Sequence, residues 1–128
     1  MSNSPTPPGS DWIAIIRRPT LDEFSAAFAD AVVLEGSVVK QAVVGAAAIL
    51  RFFDATRVMY DSIAFVHESN ADSRTFLEWE GVYQGAPVAG TTVLTRDGRG
   101  KIVSIRLFHR PYAQVLAFSA GLDALLKD

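Results

Sequence analysis

The chain contains no cysteine. That removes disulfides, thiolate metal sites and a thiol nucleophile together. Histidine is scarce: the two present, His67 and His109, are too few for a structural zinc site, and no metal or cofactor is expected. Charge of one sign is missing as well. Twelve Lys and Arg stand against 14 Asp and Glu, for a net charge of −2, and Arg51, Arg57, Arg74, Arg96 and Arg106 are scattered rather than massed. No basic field exists to hold a phosphate backbone, so nucleic acid is not an expected partner. Long apolar runs are absent too. The longest uncharged stretch lies between Glu80 and Arg96, short of the ~20 residues of a membrane-spanning helix and broken by Gly and Pro, and no membrane partner is expected. The opening "MSNSPTPPGS" has no basic n-region, and Trp12 to Ile16 is too short for a signal sequence, which points to a cytoplasmic protein. Its Ser/Pro-rich composition cannot order itself. Residues 1–11 are therefore expected as a disordered tail, and 12–128 as a single domain.

What is present reads as one ordinary globular domain, with 49% hydrophobic and 20% charged residues. "TLDEFSAAFAD" opens on Thr20 with Glu23 three places on, a capping box. Leu21, Phe24, Ala27 and Phe28 then make one apolar stripe, which predicts a short helix. "AVVLEG" follows as a short strand. From Gly45 the spacing of Ile49, Phe52, Phe53 and Thr56 predicts a helix over about 45–58.

After Tyr60 the period falls to 2. Strands are expected at about 61–68, 73–84, 89–97 and 101–109, separated by the turn formers "NADS" and "DGRG". Gly81 and Gly90 inside strand patterns suggest bulges or bends. Pro111 is placed as the first residue of a closing helix, with Val115, Ser119, Leu122 and Leu126 inward. Helices followed by a run of strands give an α+β fold.

Four segments, "LDEFSAAFADAVVLEG", "GAAAILRFF", "EWEGVYQG" and "DGRGKIVSIRLF", taken in order and spacing, resemble the nuclear-transport-factor-2-like superfamily. That superfamily includes SnoaL-like polyketide cyclases and ketosteroid isomerases. The resemblance runs from about Leu21 to Leu116, and "EWEGVYQGAPVAGTTVL…GKI…RP" further resembles a subgroup of small bacterial members. It implies a cone-shaped half-barrel, a curved antiparallel or mixed sheet wrapped around helices, with a pocket running into it. It also implies a homodimer through the outer sheet face. The superfamily's enzyme residues do not carry over. Gly36 falls where a ketosteroid isomerase has its carboxylate base, and Thr92 where it has its second acid; no early long helix supplies its tyrosine. An epoxide-hydrolase-like site would need Arg-x-Asp where this chain has "GTTVL", and an acid near Leu107. The resemblance does imply a pocket wall, at Phe53, Thr92, Leu107 and His109; Leu34, which alternates with Val32 and Gly36 and away from Glu35, is a further lining candidate.

His109 is the candidate catalytic residue. Alternation puts it on the Val103, Ile105 and Leu107 face, and a neutral imidazole both donates and accepts; the plain alternative is a strand-end histidine bonded to backbone. His67 follows Ile63 and Phe65 at period 2 and is a second candidate for the pocket, although its turn-side position favours exposure. Trp79 shares a face with Leu77, for core or for ligand stacking. Glu78 and Glu80 alternate away from Trp79, and Arg106 and Phe108 away from Leu107. These four are expected on an outer face or subunit interface.

Two function classes remain. One is a small-molecule pocket protein, which binds or transforms an apolar, possibly cyclic ligand in the manner of a lyase, isomerase or cyclase. The other is a non-catalytic dimeric interaction module whose cone is filled by its own side chains. Gly36, Gly81 and Thr92, small at the implied wall, favour the first.

Overall fold

A computed structural model describes residues 6–127. The elements run α1 (Ser10–Ile16), α2 (Leu21–Ser25), β1 (Phe28–Gly36), β2 (Val43–Val44), α3 (Ala46–Thr56), β3 (Ser62–Ala71), β4 (Arg74–Tyr83), β5 (Ala86–Arg96), β6 (Ile102–Arg110) and α4 (Tyr112–Leu126). The six strands form one sheet in the order β2-β1-β6-β5-β4-β3. β1 and β6 are parallel and the other pairings antiparallel. This is the α+β fold expected from the change of period after Tyr60, and the one parallel pairing makes the sheet mixed, which the resemblance allowed.

Each element has a local cause. The N-cap bond of the capping box forms, with Thr20 Oγ1 accepting from the Glu23 backbone N–H at 3.1 Å, while the Glu23 carboxylate accepts from the Thr20 hydroxyl at 3.3 Å. The helix it starts is shorter than its stripe suggests, because Phe28 already belongs to β1. Phe24 and Phe28 still meet, with ring centroids 4.7 Å apart. α3 buries Ile49, Phe52, Phe53 and Thr56, the face read from spacing. In β4 the buried residues are Thr75, Leu77, Trp79 and Tyr83, while Glu78 and Glu80 are exposed, so strict alternation gives the sheet one core face. Asp97 holds the β5–β6 turn by accepting from the backbone N–H groups of Arg99 and Lys101 at 2.9 and 3.0 Å.

Several expectations need correcting. The assigned tail, residues 1–11, lies partly outside the described residues, but its later part is folded. α1 starts at Ser10, and the Gly9 N–H donates to Glu68 at 3.0 Å. Trp12 supplies the reason: it is buried against Phe28 and Phe53, and that burial orders a helix of only 7 residues. In α4 the buried residues are Gln114, Phe118 and Leu122, one position from the predicted face at two of its sites. Pro111 stands before the helix as its N-cap rather than in its first turn. Gln114 can face inward because its amide donates to the carbonyls of Tyr83 and Ala86 at 2.9 and 3.0 Å. Gly81 and Gly90 carry no bulge. Register shifts fall between Phe28 and Val33, Phe65 and His67, and Thr95 and Arg96. The last of these makes Ile102 rather than Val103 the buried residue at the start of β6.

Candidate functional site

Pairing register sets the site. One row of partners crosses the sheet as Phe65, Trp79, Gly90 and His109; the next as Leu77, Thr92, Leu107 and Gly36. A third runs through Thr75, Leu94, Ile105 and Leu34. The first row works because its third member has no side chain. A Cβ at Gly90 would run into the indole of Trp79. With nothing there, the Trp79 and His109 rings meet edge to face across β5, centroids 4.8 Å apart. The indole N–H donates to Thr92 Oγ1 at 3.2 Å, which ties the first row to the second. At the end of β6 the His109 backbone N–H donates to Ser37 Oγ at 2.8 Å, so the loop after β1 fixes where the imidazole starts.

Tyr60 completes the arrangement. It lies between the end of α3 and the start of β3, fixed by backbone bonds on either side from Met59 to Thr56 and from Asp61 to Val82. Its hydroxyl and His109 Nε2 share a 2.7 Å hydrogen bond. Around the pair stand aromatic rings: Trp79 and Phe118 pack against both Tyr60 and His109. Burial among them penalises charge. It lowers the His109 pKa from 6.5 to about 4 and pushes that of Tyr60 well above its usual value. Both groups are therefore neutral at pH 7.

His109 Nδ1 is buried without a hydrogen-bond partner. An unpaired acceptor is tolerated better than an unpaired N–H. This favours the tautomer with the proton on Nε2, donated to Tyr60 Oη. The Tyr60 O–H is then free to donate to something else.

A cavity of ≈ 340 Å³ opens beside this pair. α1 contributes Trp12, Ile13 and Ile16 to its wall, α3 Phe52, Phe53 and Thr56, and the sheet Phe65, Trp79, Thr92, Leu107 and His109. Among the described residues its wall carries no carboxylate; the charged side chains on it are Arg17 and Arg57. General acid–base work there would fall to His109 and Tyr60.

Of the candidates read from sequence, Phe53, Trp79, Thr92, Leu107 and His109 line this one cavity. Leu34 does not. It is fully buried in the third row beside Ile105, in solid core. His67 does not either. The bulge between Phe65 and His67 reverses the parity of β3 and pairs His67 with exposed Glu78. Exposed in turn, the His67 side chain shares a hydrogen bond with the Ser69 hydroxyl at 2.9 Å. Gly36 and Gly81 are also absent from the wall. A Cβ at either would strike a backbone carbonyl of the adjacent strand, Leu107 or Ser62, so their smallness serves strand approach rather than cavity space. Sequence reasoning missed Tyr60 and the α1 wall. Tyr60 sits in a connection, where no period exists to orient it. The spacing of Trp12, Ile15 and Ile16 did carry a helical signal.

No family model matches the chain, and no curated protein matches it. Solved structures do. A steroid delta-isomerase from Pseudomonas aeruginosa superposes with TM-score 0.80 at 16% identity, over 91% of this chain and 87% of that one. An uncharacterized bacterial protein with a cystatin-like fold, from Silicibacter pomeroyi, gives 0.76 at 15% identity, over 85% and 77%. A protein with a ketosteroid isomerase-like fold from Catenulispora acidiphila, solved in complex with trimethylamine, gives 0.61 at 20% identity, over 85% and 88%. The chain thus shares the fold of these structures, the ketosteroid isomerase-like fold, with its curved mixed sheet and helices. No helix among the described residues is long and apolar enough to cross a membrane.

Proposed function

We propose that the protein takes an apolar, cyclic small molecule into the cone and acts on it in the manner of an isomerase, lyase or cyclase, with Tyr60 and His109 as the polar head of the site. The observation that carries this reading is the 2.7 Å bond between two neutral, aromatic-enclosed side chains on the wall of a cavity of ≈ 340 Å³. That volume is within the ~300–1,000 Å³ of ordinary ligand sites. With the proton on Nε2, the imidazole supports the phenol from behind, and Tyr60 O–H donates to a ligand carbonyl. Such a fixed donor stabilises the enolate oxygen as the α-carbon C–H bond breaks and its proton passes to a solvent hydroxide or water in the cavity, since the wall carries no carboxylate to take it. In the other tautomer Tyr60 Oη accepts from a ligand hydroxyl instead. Isomerases and cyclases among proteins of this fold lend support at the level of class.

The test uses 2-tetralone, a bicyclic ketone. Deuterium exchange at its α-carbon, followed by NMR, should be accelerated by the protein and saturate with ketone. Tyr60→Phe should slow it by about 100-fold, the scale of one lost oxyanion donor. Absence of any acceleration, or full acceleration by Tyr60→Phe, would overturn the reading.

The alternative of an interaction module keeps one supporting observation. Phe108 is 50% exposed on the outer face of β6, beside exposed Arg106, and the exposed Glu78 and Glu80 lie on β4. We infer a homodimer through this face, compatible with a ligand site inside the cone. Arg106 already pairs with Glu35 of its own chain at 3.7 Å, so Phe108 is the anchor. Phe108→Asp should shift sedimentation from dimer to monomer, and a wild-type monomer at micromolar concentration would refute the interface.

A further inference from the structure

The cavity wall also carries two cations that the Tyr60–His109 pair does not use. Arg17 and Arg57 both line it, and no acid shares its wall among the described residues. They arrive from different elements, Arg17 as the C-cap of α1 and Arg57 as the C-cap of α3. Both are exposed, whereas His109 is 8% exposed. The cavity wall therefore carries two exposed cations as well as a neutral, buried hydrogen-bonding pair.

A cation at a helix C-terminus is favoured by the helix dipole alone, so neither arginine would mean much singly. What the dipole does not explain is convergence, with two helix ends opening on the same apolar cavity. Nor is their charge cancelled. Arg57 is 3.5 Å from Asp54, but both side chains are more than half exposed, at 69% and 56%, and such a pair is weak. Arg17 forms no salt bridge among the described residues.

Resting on the function proposed above, we propose that the ligand is an amphipathic acid. Its ring system fills the apolar cavity, a carbonyl or hydroxyl meets Tyr60, and a carboxylate is held by Arg17 and Arg57. Carboxylate suits the site because the planar guanidinium donates to it in a fork. An uncharged ligand of the same shape leaves both arginines in water and gains nothing from them.

Two naphthalenes separate the claims. 2-Naphthol offers the ring and the hydroxyl, and 6-hydroxy-2-naphthoate adds a carboxylate at the far end. Calorimetric titration at low ionic strength should show the naphthoate binding about tenfold more tightly, the sum of two exposed ion pairs. The advantage should shrink at about 0.5 M salt through screening. In the double variant Arg17→Gln/Arg57→Gln, the ratio of the two dissociation constants should fall close to one. Both positions are exposed, so the variant should fold. Equal affinities in the wild type, or a ratio that survives in the double variant, would overturn the carboxylate assignment and leave the ring-and-hydroxyl site standing. Failure of both compounds to bind the wild type would overturn the two readings together.

Discussion

The two histidines stand on strands of one sheet and have opposite fates. His109 lies in β6, which is paired on both sides, by β1 and β5; His67 lies in β3, an edge strand paired with β4 alone. Between two neighbours, β6 keeps its alternation from Ile105 through Leu107 to His109, and all three are buried. The edge strand slips. Its bulge sets Phe65 opposite Trp79 but His67 opposite Glu78, and Glu68 takes the inward position opposite Leu77 that parity would give His67. The shifts that β6 carries lie at its start, before Ile105; beyond it a one-residue slip would turn Leu107 and His109 outward, whereas an edge strand loses little by one. Edge strands also gain protection from unwanted pairing when a bulge twists them.

The largest test of this contrast is in packing. Ile105 is fully buried in β6, while Ile63 in β3 is 44% exposed. Ile105→Ala should cost about 3–4 kcal/mol, from lost transfer energy plus the cavity left behind. Ile63→Ala should cost about 1 kcal/mol, since little of its area is taken from water. Urea denaturation would measure both. Equal costs would mean that the edge strand is held as firmly as the centre, and would break the comparison.

Legibility in the sequence follows the same division. Strand positions, the α3 face and the wall residues Trp79, Leu107 and His109 came from period-2 and period-3.6 patterns that burial on one face enforces, and Thr92 from the family resemblance. Leu34 obeyed its pattern yet fell in solid core, because periodicity gives the face of a strand and not the depth along it. His67 was misread because a bulge leaves no mark in an alternating sequence. Tyr60 was invisible for want of any period in its connection. α1 was passed over because a helix of 7 residues has little propensity of its own and forms on the docking of Trp12. Sequence alone places the sheet face; a site assembled from a connection and a terminal helix needs the tertiary structure.

A somewhat smaller effect concerns pH. The His109 pKa falls from 6.5 in the unfolded chain to about 4 in the fold, through burial, so below pH 6.5 the unfolded chain binds the proton first. Stability from this group is intact above pH 6.5, falls as the pH drops through that value, and levels off below about 4. The total loss is about 3 kcal/mol. Carboxylates act in part of the same range. Glu68 has its pKa lowered by Asn70 and by the Gly9 N–H, and its contribution is lost as the pH falls through that lowered value. The difference between wild type and His109→Phe isolates the imidazole. Phenylalanine has no proton to take up, so stability of the variant should fall less steeply between pH 6.5 and 4. Parallel curves for the two proteins would show that His109 is not buried in neutral form.

The smallest effect expected belongs to the other histidine, and its smallness is informative. His67 is exposed on the edge strand, and its bond to Ser69 is exposed as well. Water replaces such a bond at almost no cost. His67→Ala should therefore change the free energy of unfolding by less than about 0.5 kcal/mol, and leave 2-tetralone exchange at the wild-type rate. The alternative register, with no bulge between Phe65 and His67, would set the imidazole in the inward row beside Leu77 and turn Glu68 out to solvent. In that register the same substitution would open a hole on the concave face and cost well over 1 kcal/mol, while Glu68→Gln would cost nothing. In the bulged register Glu68→Gln weakens the bond that ties Gly9, and with it α1, to β3. Measuring the two variants side by side thus reads the parity of the edge strand directly, and a large loss at His67 with none at Glu68 would place the bulge elsewhere.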